Sequence, residues 1–95
     1  KLFMAAVRAF RDQIKDPVLK EQVRGFLAQE ALHSREHSIL NEWLDRLGYP
    51  AARFEQEVAE DIAARRATRP AIQDLAVTCA LEHFTAIMAQ GWIET

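Results

Sequence analysis

Glu30 and His33 form a Glu-x-x-His pair, in which a carboxylate precedes an imidazole by three residues. In a helix this spacing places both side chains on one face, one turn apart. An oxygen ligand combined with a nitrogen ligand suits iron, manganese or zinc, whereas calcium prefers oxygen alone. The pair therefore indicates a transition-metal site, provided that a helix presents it to the interior of a fold.

The pair belongs to a regular series of positions that the sequence predicts to face a neighbouring helix. From Leu19 to Leu47 the series advances by alternating steps of four and three residues, the 3.5-residue average of packed helices. It consists of Leu19, Val23, Phe26, Glu30, His33, His37, Leu40, Leu44 and Leu47. A charged group inside such a series is unfavourable unless it is paired or bound to a metal. We therefore expect Glu30, His33 and His37 to act together, with His37 either a ligand or a hydrogen-bonding partner of one.

A second series near the end of the chain has the same form. Its members are Ile72, Leu75, Cys79, Glu82, Ala86, Ala89 and Ile93. Glu82 is the one ionisable residue among them, and we expect Cys79 to be a small buried side chain. Dimetal sites in four-helix bundles use two Glu-x-x-His pairs and one further Glu from each of the other two helices. Glu30 with His33 matches one pair and Glu82 one further Glu. The sequence thus predicts a site for one or two divalent ions, with iron favoured and zinc or manganese as alternatives.

Two other interpretations fit the same residues. The segment from His33 to His37 reads H-x-x-E-H, the inverted zinc-protease motif, in which both histidines bind zinc and Glu36 is the general base. Glu82 would then complete the zinc site, but those proteases are large α/β proteins and Glu30 would have no role. In a non-catalytic interpretation, the chain is a helical assembly module whose polar residues set the register between helices.

The elements that must position these residues are all helices. Asp16 suits the N-cap and Pro17 the first helical position of a long helix, and Gly48 suits its C-terminal end. No strand or hairpin pattern occurs. The predicted helices cover residues 1–14, 17–47, 51–67 and 70–95. We predict an all-α fold of three long helices and one weaker connecting helix (51–67), forming a single partial domain of an antiparallel bundle over residues 1–95.

The composition and the charge of the chain limit the classes of partner that we expect it to bind. The 95 residues have a net charge of −2, which argues against a strongly basic nucleic-acid binder. One cysteine cannot build a disulfide framework, so we predict a cytoplasmic protein. No run of 18 uncharged apolar residues predicts a membrane span. Arg65, Arg66 and Arg69 are expected to be a solvated helix end. The apolar series predict a homo-oligomer. We expect a small-molecule substrate, but the sequence does not indicate its chemical class.

Four segments also resemble the predicted metal-dependent hydrolase family. They are KLFMAAVR at 1–8, Asp16-Pro17, QEALHSREH at 29–37 and EHFTA at 82–86. The resemblance implies a ferritin-like helical bundle in which Glu30, His33 and Glu82 bind metal, His37 binds or supports it, and His83 is a further candidate. It also implies a Gly-Glu pair before Lys1 and another helix with a Glu/His cluster after Thr95, so we expect a fragment of a longer domain.

The chemistry implied by the resemblance has two forms. A bound metal can provide hydroxide for hydrolysis of an ester, amide or phosphate. A Glu/His dimetal site in a helical bundle suits dioxygen activation equally well, which makes a di-iron oxidase or oxygenase the alternative to a hydrolase. The identity of the metal discriminates between them.

Overall fold

The computed structural model describes residues 2–95, and all regular secondary structure in this range is helical. The helices are α1 (Leu2–Arg8), α2 (Pro17–Arg46), α3 (Ala51–Arg66) and α4 (Ala71–Glu94), with a 3-10 turn at Arg11–Gln13 between α1 and α2. The all-α prediction is therefore confirmed. None of these helices combines the length and the apolar character that a membrane span requires.

The N-terminus of α2 is capped as the sequence predicts. Asp16 accepts a hydrogen bond from the backbone N–H of Val18 at 2.9 Å, which satisfies one of the free donors of the first turn. Pro17 occupies the first helical position, where its missing N–H has no partner to lose.

The C-terminus of α2 ends at Gly48, which adopts a φ of +91° that L-amino acids with a side chain rarely adopt. The N–H of Gly48 donates to the carbonyl of Asp45 at 3.0 Å, and the N–H of Tyr49 donates to the carbonyl of Leu44 at 3.0 Å. These two bonds are the Schellman pattern that closes a helix end. The Asp45 carboxylate in turn accepts from the N–H of Ala52 in the first turn of α3. One turn therefore ends α2 and starts α3.

The first helix is shorter than predicted. The apolar spacing predicts a helix over residues 1–14, whereas α1 ends at Arg8, and Lys1 lies outside the described residues. Beyond Arg8 the backbone tightens, because the N–H of Phe10 donates to Val7 and that of Ile14 donates to Arg11, three residues back in each case. Consequently α1 has about two turns with which to pack against its neighbours. Of the described helices, only α2 and α4 are longer than twenty residues.

The helices form an open layer. α1 packs against both α4 and α2, and α2 packs against α3. The layer measures 48 × 40 × 20 Å, and its thickness equals about two helix diameters. Its radius of gyration is 15.5 Å, compared with about 12 Å for a compact domain of this length. Among the residues described, Ala6, Asp74 and Thr78 are buried, and all three belong to α1 or α4.

The Leu19–Leu47 series is only partly inside this layer. Val23, Phe26, Glu30 and Leu44 are partly buried, but Leu19, His33, His37, Leu40 and Leu47 are exposed. Ser34, Ser38 and Asn41 are more covered than these apolar residues, and Asn41 donates to Glu55 of α3 at 3.0 Å. α3 therefore packs beside a polar strip of α2, and much of the apolar series stays exposed to solvent.

Asp74 is the buried ionic group at the start of α4. The guanidinium Nε of Arg66 donates to one oxygen at 2.9 Å, and that of Arg69 donates to the other at 2.6 Å. The hydrogen bond from Arg66 lowers the pKa of Asp74 most, burial opposes this effect, and Arg69 adds to the lowering. The expectation that Arg66 and Arg69 are solvated is thus wrong, because both fold back onto α4.

We expect Asp74→Asn to destabilise the fold at pH 7, because two guanidinium groups lose their shared carboxylate. The folded pKa of Asp74 lies below its unfolded value, so its stabilisation is present above about pH 4 and is lost as the pH falls through the folded pKa. Urea unfolding of both proteins between pH 2 and 7 should show the difference narrowing toward acid. Asp61→Asn is the control, since its exposed pair with Arg65 is worth about 0.5 kcal/mol or less. An equal loss of stability in the two variants would contradict the prediction.

Candidate metal centre

Glu30 and His33 lie one turn apart near the middle of α2, as the spacing predicts. Oε1 of Glu30 is 3.6 Å from Nδ1 of His33. The Glu30 side chain is 14% exposed and that of His33 is 61% exposed. The carboxylate therefore lies at the inner edge of the layer and the imidazole at its surface, so that the pair opens toward solvent through His33.

His37 extends this pair by one further turn. Its Nε2 lies 2.9 Å from Nε2 of His33, a hydrogen bond in which one ring nitrogen donates and the other accepts. The ring centroids are 4.5 Å apart and the planes are tilted by 57°. Two nitrogens bound to one metal ion at about 2.0–2.1 Å lie about 3 Å apart. The separation of the two imidazole nitrogens therefore fits a shared ion.

Glu82 lies in the middle of α4. It is partly buried, and burial is the main factor that raises the pKa of its carboxyl group. The Glu30 carboxylate raises the Glu82 pKa further, and His33 opposes the rise. The Glu82 carboxyl group is thus electrostatically coupled to the Glu30–His33 pair. α1 packs against both α2, which carries Glu30, and α4, which carries Glu82.

The cluster defined by Glu30, His33, His37 and Glu82 is open. Over residues 2–95, no three His, Cys, Asp or Glu side chains lie close enough together to hold one metal ion. The donor types and the pairwise distances suit a transition metal, but the set is not gathered around one point. The ligand assignment of these four residues therefore stays a prediction.

Three other candidates lie outside this cluster. Glu36 is exposed and lines a shallow depression on α2 with Ile39 and Trp43. His83 packs its edge against Phe84, with ring centroids 5.7 Å apart. Cys79 is exposed, contrary to the expectation of a buried side chain, whereas Asp74 and Thr78 of the same helix are buried. The ion pairs of Asp74 escaped the sequence reasoning. The sequence feature that could have predicted these ion pairs is an acidic residue in the first turn of a helix that follows several arginines.

Comparison with known protein families bears on this cluster. A family model described as a predicted metal-dependent hydrolase matches residues 1–95. The chain belongs to this family. No curated protein and no solved structure matches the chain. Membership in the hydrolase family confirms the resemblance drawn from the sequence and supports dependence on a metal. The ferritin-like arrangement and the identity of the metal stay predictions.

We expect Glu82→Gln to stabilise the metal-free chain at pH 7. The substitution keeps the shape of the side chain and removes a partly buried negative charge that faces Glu30. Thermal unfolding in the presence of a chelator should show a higher midpoint than in the parent. Glu36→Gln, the matched change at an exposed position of α2, should alter stability by less than about 0.5 kcal/mol. A lower midpoint for Glu82→Gln would show that the ionised carboxylate stabilises the metal-free fold.

Proposed function

We propose that this chain is the metal-binding part of a metal-dependent hydrolase and that Glu30, His33, His37 and Glu82 bind the metal. The observation that supports this most strongly is that Glu30 lies beside His33 and His33 beside His37 on consecutive turns of α2, while the partly buried carboxyl group of Glu82 is electrostatically coupled to the Glu30–His33 pair. Two partly buried carboxylates that repel each other are unfavourable without a cation. Family membership adds independent support for a metal.

His33 is the central residue of the proposed site. Glu30 lies beside its Nδ1 and His37 beside its Nε2. A carboxylate near Nδ1 favours the tautomer that keeps the proton on that atom, and the lone pair of Nε2 is then free to bind a metal. In this proposal Glu30 would orient the His33 ring and add its negative charge to the site.

The carboxylates provide the negative charge of the site. Glu30 and Glu82 come from different helices, so a cation between them relieves their repulsion and ties α2 to α4. A divalent ion bound here supplies a Lewis acid and a source of hydroxide near neutral pH. The exposed imidazoles give a substrate access from the solvent side. The proposed substrate is a small molecule with an ester, amide or phosphate bond.

A di-iron oxidase on the same cluster is the second candidate. The observation in its favour is the donor set itself, since two carboxylates and two imidazoles also suit iron. The inverted zinc-protease arrangement has less support, because Glu36 lies in the depression beside Trp43 and not beside Glu30. For the metal, the proposal favours iron, with zinc or manganese as alternatives. We retain the cytoplasm as the proposed location.

Removal of a proposed ligand should weaken metal binding. We expect Glu30→Ala, His33→Ala and Glu82→Ala each to lower the affinity for iron(II) or zinc by at least about 10- to 100-fold, the loss found even for residues that only support a ligand. Equilibrium dialysis with elemental analysis measures the effect. His83→Ala is the control for His33→Ala, since it removes the imidazole next to Glu82 that contacts Phe84. Equal losses in His33→Ala and His83→Ala would contradict the assignment.

The Glu36 variant separates the two metal arrangements. Under the proposed site, Glu36→Ala leaves both affinity and activity unchanged, whereas Glu82→Ala loses both. Under the zinc-protease arrangement, Glu36→Ala keeps the metal and loses activity, because the general base is not a ligand. The pair of measurements, metal content and turnover of the same sample, therefore distinguishes the arrangements.

The chemistry of the site follows from the metal in the protein as isolated. For a hydrolase we expect turnover of an ester, amide or phosphate substrate that is equal in air and under argon. For the oxidase we expect bound iron whose absorbance changes when an anaerobic sample meets air. Zinc in fully metal-loaded, active protein would contradict the oxidase, and an oxygen requirement for turnover would contradict the hydrolase.

A further inference from the structure

We draw no further inference here: the strongest candidate, the exposed apolar face that Leu81, Phe84, Met88 and Trp92 form in the second half of α4, carries none, because nothing in the structure shows what covers it.

Discussion

Arg66 and Arg69 donate to the two oxygens of Asp74 from opposite ends of the turn that joins α3 to α4. These two hydrogen bonds hold the start of α4 against the end of α3, and Glu82 lies eight residues further along α4. Asp74 also lies in the first turn of α4, where a negative charge is favourable. The buried ion pair thus lies more than two helical turns from Glu82.

The helix boundaries show what local sequence determines. Asp16 and Gly48 mark the ends of α2 correctly, because a cap needs only its own side chain or its own positive φ. The end of α1 was predicted wrongly, because the apolar spacing of Phe3, Val7 and Phe10 continues past the point where the backbone tightens. Periodicity describes which residues share a face, and it does not reveal where the hydrogen-bonding pattern changes.

In the candidate site, too, some features depend on one helix and others on the packing between helices. The Glu30–His33 and His33–His37 contacts are properties of one helix, and their spacing alone predicts them. The position of Glu82 relative to Glu30 depends on the packing of α1 against both α2 and α4, which the spacing within one helix does not determine. The exposed part of the Leu19–Leu47 series has a similar cause, since Ser34, Ser38 and Asn41 compete with the apolar residues for the side that faces the chain. The packing of the helices determines whether the polar or the apolar face of α2 is covered.

The capping of α2 at both ends has a consequence for ligand binding. A helix closed by Asp16 and by the Gly48 turn keeps Glu30, His33 and His37 on consecutive turns before any ion arrives. In the proposed metal site, the conformational entropy of aligning three donors would be lost when the chain folds and not when the ion binds. This is preorganisation, and it favours affinity without additional contacts. What remains to be ordered when an ion binds the proposed site is the set of side-chain rotamers and the position of α4.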